Sequence, residues 1–544
     1  MRPWDWVVLV VSVVAIVAYG LWKSRDSNTT DKYLRAGKTM PWYAMALSIM
    51  ATQASAITFI STTGQGYVDG MRFVQFYFGL PIAMVILSIT AVPIFHRANV
   101  YTAYEYLEKR FDSKTRTLVS IIFLIQRGLA VGLALSAPAI VLTVILGWPD
   151  EWTTIIMGVV VVAYTVLGGV QAVTWTDFQQ MLIMMAGLAA ALVMAVWLLP
   201  DNIGLTGALT VAGAAGKLNP VTTAFSWNDR YNLWSGLFGG TFLALSYFGC
   251  DQSQVQRYLT GSSIAQSRLS LLFNAIAKIP MQFLILLTGA IVFAFFTFVQ
   301  APILFQREDM ANLTKDPKYG ELQQTYDRAF AERLEAAKRL TSGDESAKEA
   351  YVSSQRKLDA VRKEASSITK SNDTNYVFLH FVTHYLPEGI VGIVIAAILA
   401  AAMSTISGEI NSLATVSVID IYKRMSSGGT DAHYLLISRL ATAFWGVYAV
   451  VTARFAKNMG SLVEAVNLLG SFFYGGILGV FALAMYFPRV NATGAFVGVL
   501  TGEAVIFALH YSGATSFLWY NVIGCVVVIA TGVVISSFTK RPAS

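Results

Sequence analysis

Two cysteines, Cys250 and Cys525, are all that 544 residues contain, and both lie in apolar surroundings. That excludes a disulfide framework and any cysteine-based zinc spacing. Charge is scarce too. Asp, Glu, Lys and Arg make up 13% of the chain, against roughly 25% in an ordinary soluble domain. No P-loop and no G-x-G-x-x-G string occurs, so ATP-driven pumping has no support. His380 and His384 stand four apart without an H-E-x-x-H string around them, which speaks against a metal centre.

What the chain has instead is apolar length. Hydrophobic residues make up 55% and the mean hydropathy is +0.56, which excludes a disordered chain, a soluble enzyme and a nucleic-acid module together. A bilayer-crossing helix needs about 20 mostly apolar residues. Thirteen stretches qualify: 4–22, 42–67, 71–95, 117–146, 152–168, 175–199, 233–256, 271–301, 388–421, 433–453, 461–487, 491–510 and 517–537. The first follows Arg2, lacks a small-residue cleavage site and is too long for a signal h-region, so it reads as a span. Tryptophans near span ends, among them Trp4, Trp22, Trp148 and Trp152, read as interface anchors.

The net charge of +7 is unevenly spread. Gln306 to Tyr376 holds 13 basic and 13 acidic residues, so the whole excess lies outside that stretch. Basic residues follow alternate spans: Lys23, Arg25, Lys32, Arg35 and Lys38; Arg97, Lys109, Arg110, Lys114 and Arg116; Arg257 and Arg268; Lys423 and Arg424; Arg489; Lys540 and Arg541. Lys and Arg gather on the cytoplasmic side. The reading is therefore a multi-pass protein of the plasma (inner) membrane, N-terminus outside, C-terminus cytoplasmic and the charged insert outside. Within the insert, Leu322, Tyr326, Phe330, Leu334 and Ala337 form one helical stripe, and Ala347, Tyr351, Ser354, Leu358, Val361, Ala365 and Ile368 form another. The turn signal Thr341-Ser-Gly-Asp344 separates them, which predicts a two-helix hairpin.

Two spans are interrupted. Polar "TQAS" and "STTGQGY" break the apolar run 42–67, and 233–256 ends in "SYFGCDQSQVQR". Transporters built from inverted repeats carry such interruptions at the bilayer midplane. The two starts lie about 190 residues apart, and spans starting at 117 and 388 lie at a similar period once the insert is removed. The expected fold is all-α and polytopic, about 13 transmembrane helices in a five-plus-five inverted repeat, with an external hairpin insert. Its parts are 1–41 before the repeats, 42–232 and 233–487 as the repeats, 302–376 as the insert, and 488–544 as two last spans and a tail.

Four strings carry a family resemblance: "MATQASAITFIS" (50–61), "TAYEYLEKRFD" (102–112), "GGVQAVTWTDFQQ" (168–180) and "AAAMSTISGEINSLATVSVIDIYKR" (400–424). In this order they resemble the sodium:solute symporter family over nearly the whole chain. The resemblance implies the inverted-repeat fold shared with the leucine transporter. It implies secondary active transport, in which inward sodium flow drives uptake of sugars, sugar acids such as sialic acid, carboxylates, amino acids, vitamins or anions. The expected partners are that small solute, sodium ions and the lipid bilayer, with no nucleic acid.

Ala401, Ser404 and Thr405 stand at i, i+3 and i+4 on one helix face. Sodium is a hard cation that takes oxygens, so hydroxyls beside carbonyls freed by an unwound helix suit it. By resemblance the main sodium site falls on the carbonyls of Ala51, Ala54 and Ala401 and the hydroxyls of Ser404 and Thr405; the alternative is that these hydroxyls only join helices. Some family members bind a second sodium with an aspartate and serines that match Asp177, Ser404 and Ser407, but Gly408 departs from that pattern. A helix-start role is the other account of Asp177. For the solute, the candidates are Gln53, Ser55, Thr58, Phe73, Tyr77, Arg127, Asp251, Gln252 and Asn467, with Lys278 and Asn274 beyond them. Arg127 resembles the carboxylate-binding arginine of the sodium/sialic-acid branch; pairing with a protein acid is its alternative. Asp251 suits sugar hydroxyls or a cationic solute, or caps the broken helix. Proton coupling through Asp177 or Glu409 in the same fold is the rival mechanism. A membrane sensor on a transporter core would need a signalling domain, and an intramembrane enzyme a nucleophile–base pair, neither of which the sequence offers.

Overall fold

The computed structural model describes residues 1–25, 28–370, 372–426, 428–455 and 461–539. Lys540 and Arg541 of the orientation argument lie outside them. Among the described residues the elements are helices, with one isolated bridge between Met40 and Gly261. The helices used below are α1 (Pro3–Lys23), α2 (Trp42–Gln53), α3 (Thr58–Val68), α4 (Gly70–Ala98), α5 (Ser113–Leu146), α6 (Asp150–Trp197), α7 (Gly240–Gly249), α8 (Gln252–Leu259), α9 (Ile264–Phe298), α10 (Tyr319–Thr341), α11 (Lys348–Thr369), α12 (Ile390–Val416), α13 (Asp431–Ala453), α14 (Leu462–Tyr486), α15 (Ala492–Ser512) and α16 (Phe517–Phe538).

Ten helices among the described residues are long and apolar enough to cross a membrane, or eleven with α2 and α3 taken as one bent span. The expected thirteen is not reached, at two places. The stretches 152–168 and 175–199 fall in one element, α6, of 48 residues. At 1.5 Å per residue it would be about 72 Å long, over twice the roughly 30 Å hydrocarbon thickness. It is broken at Gly169, where φ is 58° and ψ −156°. A Cβ there would lie 2.5 Å from the Tyr33 carbonyl oxygen, so both conformation and close approach require glycine. The stretch 233–256 is divided into short pieces, none of span length: a π-helical turn Ser235–Gly239, then α7, then α8 beyond a break at Cys250.

The first break bends α2 against α3 by 64°. A helix end leaves carbonyls without an N–H partner. Side chains supply several of these donors. Thr405 Oγ1 donates to the Thr52 carbonyl at 2.9 Å and Thr58 Oγ1 to that of Gln53 at 3.4 Å, while Ala54 N–H reaches Met50. Among the described residues no backbone N–H of the break reaches the Ala51 or Ala54 carbonyl. The second break restarts on Asp251, whose carboxylate accepts the Ser253 N–H at 2.9 Å in the usual N-cap manner.

α12 is the central helix. It is buried along nearly its whole length and packs most extensively against α6. Its start is tied to α1, since the Asp5 carboxylate accepts the N–H groups of Gly389 (2.7 Å) and Gly392 (3.1 Å). α1 and α13 leave most of their apolar surface uncovered, as lipid-facing helices do. In the insert, α10 and α11 form a hairpin that buries Leu322, Tyr326 and Ala329 against Leu358, Val361 and Ala365. Its turn is held by Asp344, whose carboxylate accepts the Ser346 N–H. Arg362 fastens the hairpin to the core, donating to Tyr67 Oη on α3 (2.8 Å) and to the Pro302 carbonyl (3.0 Å).

Candidate functional site

The first break, which carries Ala51 and Ala54, packs beside the stretch of α12 that carries Ala401, Ser404 and Thr405. Ala51, Ala54, Ala401 and Ser404 are fully buried and Thr405 nearly so. Thr405 reaches the Thr52 carbonyl, which joins α12 to the broken helix directly. Ser404 Oγ donates to Asp177 Oδ1 at 2.7 Å, and Ser48 Oγ on α2 donates to Oδ2 at 2.6 Å. Ser407 Oγ turns back to the Ser404 carbonyl, 3.1 Å away. Asp177 thus sits well inside α6, buried and accepting from two helices; it is not an exposed helix start.

Beside this junction opens a cavity of about 940 Å³, its mouth included. Gln53, Ser55 and Thr58 line it from the first break, Tyr77 from α4, Tyr247 from α7, and Asn467 with Tyr474 from α14. Four charged groups belong to it or its wall. Arg127 donates from Nη1 to Glu409 Oε1 at 2.7 Å, and from Nη2 to Tyr474 Oη at 2.7 Å and to Asp251 Oδ2. Its positive charge is therefore met by two buried carboxylates. Lys278, on α9, is the opposite case. It is 1% exposed, it lines the cavity, and no hydrogen-bond acceptor reaches its Nζ; the ring of Tyr77 lies 5.6 Å away. Glu409 Oε2 likewise has no donor.

Of the sequence candidates for the solute, Gln53, Ser55, Thr58, Tyr77, Arg127 and Asn467 line the cavity. Three do not. Phe73 lies on a 3₁₀ stretch, Gly70–Tyr77, where i and i+3 eclipse, so it stacks on Phe76 (ring centroids 5.5 Å apart) and Phe76 faces the cavity in its place. Asp251 is spent on capping α8 and on Arg127. Gln252 points at the short helix Ala103–Arg110, donating to the Tyr101 carbonyl and accepting the Ala103 N–H. Asn274 lies outside the lining and bonds Gln53 at 3.3 Å. Sequence reasoning passed over Tyr474, though it stands seven residues after Asn467 and hence on the same face of α14. It also passed over Tyr247 and gave Arg257 no role at the site. His380 and His384 stack at 4.0 Å, and the described residues contain no cluster of three metal-binding side chains.

The sodium:solute symporter family model matches residues 33–311 and 357–502, leaving out most of the hairpin. The sodium/sialic acid symporter NanT of Aliivibrio fischeri is 26% identical over 545 residues, covering 99% of this chain and 94% of the relative. The human sodium-coupled monocarboxylate transporter 1 is 28% identical over 512 residues, 92% of this chain and 72% of the relative. The fold is that of a Na⁺-coupled sialic acid symporter solved in a substrate-bound outward-open state, with TM-score 0.78 and 24% identity over 99% of each chain. The broken helices, the hydroxyl face of α12 and the family match agree: this chain is a member of the sodium:solute symporter family, a multi-pass, sodium-coupled secondary transporter of a small organic solute and not an enzyme.

Proposed function

We propose that sodium is held where α12 passes the first break, by the carbonyls of Ala51, Ala54 and Ala401 and the hydroxyls of Ser404 and Thr405. The solute is a small organic anion in the adjoining cavity, its acid group on Lys278. One observation carries the choice of an anion. A buried amine without a partner is costly to keep charged; Lys278 Nζ is such a group inside the cavity, and an acid on the solute would supply the missing partner. Arg127 has its two carboxylates already, so the charge free to meet a solute acid is that of Lys278. Glu409 Oε2, unpartnered on the same cavity, suits a hydroxyl or ammonium elsewhere on the solute. The names of the relatives, a sialic acid symporter and a monocarboxylate transporter, support an acid.

The cycle follows from the shared helices. Sodium joins the broken helix to α12 and fixes the break that supplies Gln53, Ser55 and Thr58 to the cavity, so solute meets an ordered site. Departure of sodium releases that order and frees the solute. The basic loops support an N-terminus outside, a cytoplasmic C-terminus and the hairpin outside, in the plasma (inner) membrane. The test is a thermal-shift screen of the purified chain against carboxylates and neutral sugars, with and without sodium. A carboxylate that stabilises wild type only with sodium, and no longer stabilises Lys278→Met, is expected. Stabilisation by sugars alone, or an acid response intact in Lys278→Met, would contradict the assignment.

A further inference from the structure

We propose that Arg257 is the built-in cation of the Asp177 cluster, so that a single sodium ion, at the crossing of α12 and the first break, drives each cycle. The inference rests on the sodium site proposed above.

Asp177 is fully buried and Arg257 is 3% exposed, with Nη1 at 3.3 Å from Asp177 Oδ2. Arg257 belongs to α8, six residues beyond Asp251 at the second break. Its guanidinium lies over the backbone of Gly408 on α12: a Cβ at 408 would stand 2.3 Å from Nη2. A side chain at 408 would have to displace the end of the arginine. The place from which a third hydroxyl could join Ser404 and Ser407 around Asp177 is filled by a tethered cation. One carboxylate facing one guanidinium is neutral. A sodium ion added there would have to share a single carboxylate with Arg257, two like charges held side by side against one.

Asp177 is then a positioning residue. Because Ser404 Oγ gives its proton to Asp177, its lone pairs are free for a cation on the other side, as outer-shell acceptors orient ligands in metal sites. The same carboxylate accepts the Ser48 hydroxyl of α2 and pairs by charge with Arg257 of α8. It thereby ties the first break, the second break and α12 together, so that one ion at Ser404 is felt at both breaks.

The test is equilibrium binding of ²²Na⁺ to the purified full-length chain, with sodium alone as the probe. Wild type is expected to saturate at one ion per chain without cooperativity. Asp177→Asn is expected to keep that saturation with affinity about tenfold weaker, the usual effect of losing an outer-shell partner. Thr405→Ala removes a ligand and is expected to lose more. The double substitution R257M/G408S is expected to gain a second, cooperative ion. Saturation of wild type at two ions, or loss of one of two ions in Asp177→Asn, overturns the proposal, and the wild-type result decides even if R257M/G408S does not fold. One ion unaffected by Thr405→Ala but removed by Asp177→Asn overturns it too, by moving the ion to Asp177. One ion indifferent to both changes overturns the site reading instead.

Discussion

Arg127 and Lys278 are the two buried cations at the cavity, and they differ in what surrounds them. Arg127 is braced by Glu409, Asp251 and Tyr474, while Lys278 has an aromatic ring and no acceptor. Their variants should separate cleanly. Arg127→Met leaves two carboxylates buried without a cation and should cost about 3–5 kcal/mol of stability, read as a large fall in Tm or loss of folded protein. Lys278→Met removes a buried amine that has no partner and should leave Tm unchanged or raised while abolishing the response to solute. Equal damage to stability from both would contradict this division. At the sodium site, Ser404→Ala or Thr405→Ala should raise the sodium concentration for half-maximal stabilisation at least tenfold or so, with the fold kept. The sequence alone made the Ala401–Ser404–Thr405 face legible, because helical spacing sets it locally. It could not show which alternative Arg127 takes, because Glu409 is 282 residues away in the chain and Asp251 is 124. Phe73 was misplaced for a local reason: four-residue spacing assumes 3.6 residues per turn, and that stretch winds at about 3.0.

Helices repeat the lesson at a larger scale. Apolar length located nearly every span, but counting failed where a helix is interrupted. α6 is two helical halves joined end to end at the non-helical Gly169, and 233–256 is cut into pieces too short to count. Both interruptions were visible as glycine and polar residues in apolar runs; their geometry was not. Gly169→Ala should destabilise by about 1–3 kcal/mol from backbone strain alone, and more because of the contact with Tyr33, as a lowered Tm in detergent. The hairpin offers a pH test. Burial pushes the Asp373 carboxyl up to about 6, against its ordinary 3.8, although it accepts the N–H groups of Phe305 and Gln306. A folded-state pKa above the unfolded one gives stability that is present at low pH and lost as pH rises through the folded pKa. Between about pH 4 and 6 wild-type Tm should therefore fall relative to Asp373→Asn. Parallel curves for the two proteins would contradict this.

Taken whole, the molecule is a buried α12 with two interrupted helices beside it, wrapped by lipid-facing helices and carrying a hairpin fastened through Arg362. Class and family were legible from composition and four strings, because those features are local; the charge balance of the cavity was not, since it sums groups from α5, α8, α9 and α12. The proposed orientation puts the hairpin turn outside. Ser342→Cys at that exposed turn should react with a membrane-impermeant maleimide in intact cells, against a low background because Cys250 and Cys525 are buried. Labelling only after permeabilisation would invert the topology. The most direct test of the central claim is uptake of radiolabelled sialic acid, monocarboxylates and glucose into proteoliposomes under an inward sodium gradient, comparing wild type with Lys278→Met. The account predicts sodium-driven uptake of an acid that Lys278→Met abolishes. Sodium-driven uptake of glucose with no acid transported, or acid uptake undiminished in Lys278→Met, would contradict it.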